Sequence, residues 1–263
     1  MCDMKTLIAF IGCAVLLAAV ALAGQNGKPL DSPQIPDLVT ANHILANEGV
    51  LDAYGDVSVR SEKDPSHYLM SRSMPPLFVQ AGDIIEYDAD SKPLNDTRPL
   101  FNERFIHGEI YRLRPDVKAV VHFHAPDVVT FSVGNVPLKP MVHMAGFIVP
   151  GIPIWDIRKS AGITDMLVRN NELGHSLAEA LGDKPLALLR GHGAAVVAPS
   201  IKLVTGRAYY TMVNAKAQAQ AIALFGANNV TYLDPGEAAK AGDQDGFERG
   251  WTFWSGKVAD MKK

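Results

Sequence analysis

The sequence predicts a layered α/β domain built around a central sheet. Two observations carry that expectation. Segments with apolar residues at helical spacing alternate with short β-type runs, the order that lays helices against a sheet. No composition break, internal repeat or low-complexity tract interrupts this order between residues 37 and 263, so one domain is expected there. The 263 residues are 48% hydrophobic and 20% charged, which supports an ordinary core and excludes general disorder.

The elements follow in chain order. Met4-Lys5 precedes an apolar run from Leu7 that closes in Ala21-Leu22-Ala23-Gly24. A basic start, an apolar stretch and a small-x-small end describe a signal peptide over residues 1–23. The run sits at the lower edge of the length that spans a bilayer, so cleavage is expected rather than a retained anchor. Cleavage after Ala23 removes Cys2 and Cys13, the two cysteines of the chain. Residues 24–36 are polar and proline-rich and read as a linker.

Asp37 to Glu48 carries Leu38, Ala41 and Leu45 on one helical stripe, and Gly49 is placed to end it. Val57 to Arg60 alternates like a strand, as does His67 to Ser71. Asn102 to Leu113 reads as a second helix, with Pro115 just beyond. Ala119 to His124 is a strong strand. Ile163 to Val168 and Leu173 to Leu181 read as helices. Ala187 to Leu189 and Ala194 to Val197 are short strands on either side of Gly191-His192-Gly193. Ser200 is a good N-cap for a long helix from Ile201 to Phe225.

Composition removes several functions. Lys and Arg number 25 against 28 Asp and Glu, for a net charge of −3, so no basic excess exists to neutralise nucleic-acid phosphates. Two cysteines exclude a disulfide scaffold and a cysteine-based zinc site. Eight histidines remain, and their spacing is informative. His122 and His124 lie two apart on a strand, so both imidazoles face the same side and can reach one cation, while Val121 and Phe123 pack on the other. His192, between two glycines, has little to do as a packing residue, since glycines serve tight turns and close backbone approach. Three histidines with an open position make a catalytic rather than a structural metal site. Such a cation polarises a carbonyl or phenolate oxygen. Glu103 and His107, four apart on the second helix, share a face, and a carboxylate aimed at the cation can transfer protons.

Taken together these residues resemble the class II aldolase/adducin family. The resemblance is carried in order by Gly55-Asp56-Val57-Ser58-Val59-Arg60, Glu103-x-x-x-His107 with Ile110-Tyr111, and Arg114-Pro115-Asp116-Val117 leading to His122-x-His124. Leu188-Leu189-x-x-His192-Gly193 and the long Ala-rich helix complete it. It implies a three-layer α/β/α sandwich with a nine-stranded, mostly antiparallel sheet. It implies a four-fold symmetric homotetramer with sites at subunit interfaces. It also implies one divalent metal per subunit on His122, His124 and His192, with Glu103 as general acid/base. Zinc is the favoured ion, and manganese, iron or cobalt also suit three imidazoles.

Sugar-phosphate aldolases of the family normally have Gly-Asn where this chain has Gly55-Asp56, and Ser-Ser where it has Phe101-Asn102. A carboxylate beside a dianion and a lost hydroxyl both count against phosphate recognition. Other segments resemble a branch of aromatic hydroxy-dicarboxylate decarboxylases: Leu69-Met70-Ser71-Arg72-Ser73, Glu103-Arg104-Phe105-Ile106-His107-Gly108, His143-Met144-Ala145-Gly146-Phe147 and Thr164-Asp165-Met166-Leu167-Val168. Arg72, Ser71, His143, Asp56 and Tyr210 are therefore the expected substrate-binding residues, Arg72 as a bidentate carboxylate grip and Tyr210 reaching a neighbouring subunit's site.

The expected function is an exported, divalent-metal-dependent carbon–carbon lyase acting on a small molecule, with decarboxylation of a hydroxy-aromatic or similar hydroxy-carboxylate favoured. Aldol cleavage of a sugar or sugar phosphate is the alternative. A non-catalytic adducin-like binding protein is a further one, set against the presence of all three ligands. A cupin, which also uses H-x-H, is disfavoured because Ala125-Pro126-Asp127-Val128 follows the pair where cupins place a Glu, and because helices intervene throughout.

Overall fold

The computed structural model describes residues 29–149, 151–242 and 244–260. The leader read over residues 1–23, with Cys2 and Cys13, and residues 24–28 of the linker lie outside the described residues. The first helix, α1 (Ile35–Asn47), begins two residues inside the expected linker because Pro36 occupies its first turn, where a missing N–H costs no hydrogen bond. It closes as anticipated on Gly49 in the left-handed region at φ +74°.

Seven strands form one sheet: β1 (Asp56–Arg60), β2 (Tyr68–Ser71), β3 (Ile84–Tyr87), β4 (Ala119–Phe123), β5 (Ile154–Trp155), β6 (Leu186–Leu189) and β7 (Gly193–Ala198). Their order is β3-β2-β1-β4-β7-β6-β5. Every pairing is antiparallel except β5 with β6. The expected nine strands are thus seven among the described residues, and β5 is only two residues long.

Helices cover both faces. α1, α6 (Ile201–Phe225) and α8 (Glu248–Asp260) lie on one side, where Leu38, Leu45, Val204 and Trp254 join Val57, Val59, Val121 and Phe123 in one core. α2 (Arg104–Leu113) and α5 (Asn171–Leu181) lie on the other, where Ile106, Ile110, Leu177 and Leu181 meet Tyr68, Met70, Val120 and Val197. Each central strand contributes alternate side chains to the two cores, as a pleated strand must. The three-layer sandwich is therefore as expected. Short helices α3 (Pro126–Thr130), α4 (Arg158–Ala161) and α7 (Pro235–Ala241), and a 3-10 segment (His143–Ile148), fill the connections.

Ser200 caps α6 through its side chain, which accepts from the Leu203 N–H. The same helix buries two amides. Asn214 accepts from the Met141 and Val142 N–H groups and donates to the Lys139 carbonyl, and Gln218 accepts from Lys139 N–H and donates to the Pro137 carbonyl. These bonds satisfy an extended segment that belongs to no strand. One helix expectation fails. Ile163–Val168 is irregular: Thr164 Oγ1 and Asp165 Oδ1 capture the N–H groups of Met166 and Leu167, and Met166 is left-handed at φ +70°. Short polar side chains that bond nearby backbone compete with the helix in this way. No helix among the described residues is long and apolar enough to cross a membrane.

Candidate metal centre

The site is assembled from β4, the β6–β7 turn and the start of α2. On β4, His122 faces the α2/α5 layer with Val120, while Val121 and Phe123 fill the opposite core. Its Nδ1 lies 3.1 Å from the Ala194 carbonyl on β7. A carbonyl only accepts, so Nδ1 carries the proton and Nε2 is left as a lone pair. His124 follows directly after the strand.

His192 is presented by a turn that both flanking glycines make feasible. Gly191 is left-handed at φ +65°. A Cβ on Gly193 would lie 2.0 Å from the Phe123 carbonyl oxygen, so β4 and β7 can approach only with glycine there. The Gly191 N–H donates to Ser132 Oγ at 2.8 Å, which anchors the turn. His192 Nδ1 is buried with no hydrogen-bond partner, and the ring stacks on His124 with centroids 4.9 Å apart.

Glu103 stands at the N-cap position of α2 without a side-chain capping bond, and its carboxylate turns toward the rings. Its Oε2 lies 3.5 Å from His122 Nε2 and 3.4 Å from His192 Nε2. Its Oε1 accepts from the buried Val168 N–H at 3.0 Å. The irregular 163–168 segment thus ends as a brace for Glu103. His124 Nε2 and His122 Nε2 are 3.0 Å apart. Ligand atoms of Glu103, His122, His124 and His192 all fall within 4.8 Å of one another. Three imidazole nitrogens with a carboxylate beside them, one ring held in the ligating tautomer by a backbone carbonyl, fit a divalent ion.

Electrostatics agree with that fit. Burial, then the neighbouring His122 and His192, push His124 down to about 4, so this ring stays neutral. Burial alone acts to raise the Glu103 carboxyl, but its contacts with His122 and His192 outweigh it and hold the group well below the usual carboxylate range. Burial opposes charge on His122 as well, and the Glu103 carboxylate reverses this and raises it.

A pocket of about 530 Å³ opens beside His124 and Glu103, with Tyr54, Asp56, Ser73 and Phe101 among its walls. No lysine or arginine among the described residues lines it. Of the expected substrate residues, Asp56 is there, buried on β1 opposite His122. Arg72 donates through Nε to the buried Asp83 carboxylate at 2.7 Å and is not among the residues that line this pocket. Ser71 is buried on β2 without a partner for its hydroxyl. His143 is exposed at the start of the 3-10 segment. Tyr210 stacks on Phe247 at 5.4 Å among the C-terminal aromatics and does not line this pocket. Arg190 pairs with Asp156.

Glu103 and His107 both turn toward the sheet but meet different partners. His107 reaches Asp56 and Ser58 rather than the histidine cluster. The buried set Ser58, His107 and Tyr111 was not anticipated. Its signal was the alternation Asp56-Val57-Ser58-Val59-Arg60, which puts three polar side chains on one face of a strand that is buried on both.

A sandwiched sheet with three imidazoles and a carboxylate gathered beside a pocket defines a protein equipped to hold a divalent ion next to a small molecule. Residues 36–219 match the model of the class II aldolase and adducin N-terminal domain. The chain is 35% identical over 244 residues to decarboxylase tropJ of Talaromyces stipitatus, covering 84% of this chain and 92% of that one. It is 32% identical over 191 residues to 3,4-dihydroxyphthalate decarboxylase of Arthrobacter keyseri, covering 68% and 75%. An aldolase II superfamily protein from Pseudomonas syringae superposes with a TM-score of 0.74 at 20% identity, over 88% of this chain and 95% of that one. The L-fuculose 1-phosphate aldolase of Glaciozyma antarctica does so with a TM-score of 0.64 at 22% identity, over 89% and 93%. The chain belongs to the class II aldolase and adducin family, and it is an enzyme of the lyase class.

Proposed function

We propose that the chain is a divalent-metal-dependent decarboxylase of a hydroxy-aromatic or similar hydroxy-carboxylate. The observation that carries this reading is the convergence of Glu103 on His122 and His192 beside a pocket without a cationic side chain. Relatives named as decarboxylases support it. Phe101 puts a side chain without a hydrogen-bond donor in the pocket wall, which disfavours binding of a phosphate and hence sugar-phosphate cleavage. His122, His124 and His192 would hold the ion, with zinc favoured. When bound, it supplies Lewis-acid polarisation of a substrate oxygen.

The protein's own residues do the rest. Tyr54, Met74 and Phe101 offer apolar surface for a planar ring. The Val168 N–H fixes one oxygen of Glu103 and leaves the other toward the rings. Ionised Glu103 receives the proton of a substrate hydroxyl. It returns that proton to the ring carbon as the carbon–carboxylate bond breaks and CO₂ departs, and a solvent proton restores the product hydroxyl. Export through the leader, with cleavage after Ala23, and assembly as a homotetramer complete the proposal. The apolar run and its small-x-small end support the first, and the family resemblance supports the second.

The test is CO₂ release from 3,4-dihydroxyphthalate and dihydroxybenzoates by zinc-loaded and chelator-treated protein. Release by the loaded protein alone is expected. Glu103→Gln should lower turnover roughly 10²- to 10⁴-fold, the usual worth of a positioned proton-transfer group. Equal rates with and without chelator would sink the reading.

A further inference from the structure

Behind the pocket runs a line of buried hydrogen bonds. Tyr111 Oη is 2.7 Å from Ser58 Oγ, Ser58 Oγ is 2.6 Å from His107 Nδ1, and His107 Nε2 is 2.6 Å from Asp56 Oδ1. All four residues are buried. The line has a direction. The Asp56 carboxylate only accepts, so His107 donates to it from Nε2. In the neutral ring Nδ1 is then an acceptor, which takes the proton of Ser58, and Ser58 Oγ takes that of the Tyr111 phenol. The Asp56 carboxylate is held by one oxygen, and among the described residues no other hydrogen bond engages it. Asp56 lines the pocket beside Glu103 and His124.

We propose that Asp56 sets substrate specificity by offering the pocket a fixed hydrogen-bond acceptor for a second hydroxyl of an ortho-hydroxy aromatic carboxylate, with His107 as its positioning residue. The inference rests on the decarboxylase reading, in which a bound ion would polarise a substrate oxygen and Glu103 takes the proton of the first hydroxyl. A carboxylate has no proton to give, so it selects a donor and repels an ether oxygen or a phosphate. The direction of the line makes the point testable. In Asp56→Asn the amide oxygen must face the His107 Nε2–H, which turns the amide NH₂ to the pocket. An acceptor is replaced by a donor at nearly constant volume.

The experiment is calorimetric titration of the zinc-loaded full chain with 2,3-dihydroxybenzoate and with 2-hydroxy-3-methoxybenzoate. Both can chelate through the carboxylate and 2-hydroxyl, and only the first keeps a donor at the 3-position. Wild type should prefer the dihydroxy compound by at least about tenfold, as expected for a hydrogen bond to a charged group. Asp56→Asn should erase or reverse that ratio. Ser58→Ala, remote from the pocket, should reduce it by freeing the His107 tautomer, and it carries the test if Asp56→Asn fails to fold. A role in stability alone would weaken both ligands together and leave their ratio unchanged. A ratio that stays within twofold of wild type in the folded variants overturns this inference and spares the decarboxylase reading. Failure of both compounds to bind the zinc-loaded wild type overturns the inference and the decarboxylase reading together.

Discussion

His122 and His124 sit two residues apart and respond oppositely to their surroundings. Glu103 raises the first above the usual histidine value, and burial with the neighbouring rings lowers the second to about 4. An ion binds neutral imidazole, so below the raised value at His122 each ion must displace a proton. Affinity should therefore rise with pH, by at least about one log unit per pH unit between pH 5 and 6. Zinc titrations in that range check this, and a flat profile would contradict it. His124 stays neutral there and adds nothing to the slope. At this scale the convergence of His122, His124 and His192 was legible in the sequence, because strand period and a glycine-flanked turn are local properties. The partners of Asp56 and Arg72 were less so. Whether a charged side chain meets substrate or a partner such as His107 or Asp83 depends on docking between distant segments.

Most helices and strands could be read from period and caps, since each has an apolar stripe or an alternation long enough to show. The segment 163–168 could not. Its apolar residues sit at helical spacing, yet Thr164 and Asp165 bond the local backbone and Val168 N–H is committed to Glu103. At this scale Gly193 is the sharpest probe. It opens β7 directly beneath Phe123 of β4, in the pairing that sets His122 opposite Ala195. In Gly193→Ala the new Cβ meets a backbone oxygen at 2.0 Å, so the strands must part. Zinc affinity should fall at least about tenfold, with an unfolding temperature lower by several degrees, the range for overpacking a rigid site. Gly134→Ala, where a Cβ meets nothing within 4 Å, should change neither. Equal zinc affinity in the two variants would show that the β6–β7 turn does not position His192.

Across the whole molecule the ligand set links layers that are otherwise joined by packing. Glu103 comes from the start of α2, His122 and His124 from the central strand β4 and its end, and His192 from the β6–β7 turn. An ion on the three rings ties β4 to the β6–β7 turn, draws the Glu103 carboxylate at the start of α2 toward its charge, and leaves the α1/α6/α8 layer untouched. Because the four groups converge only in the folded chain, binding energy becomes folding energy. Free zinc at 1,000 times its dissociation constant should stabilise by about 4.1 kcal/mol. At roughly 2–4 °C per kcal/mol for a chain of this size, that is about 8–16 °C. His124→Ala should lose most of that shift. Its metal-free unfolding temperature should change little, since the ring it removes is partly exposed. The effect should also be local. Removing the ion should expose the amides of Val168 and of the 190–193 turn to exchange first. Those of β1 and β4, buried between two cores, should stay protected. A metal-induced shift of the same size in His124→Ala would place the bound ion elsewhere on the protein.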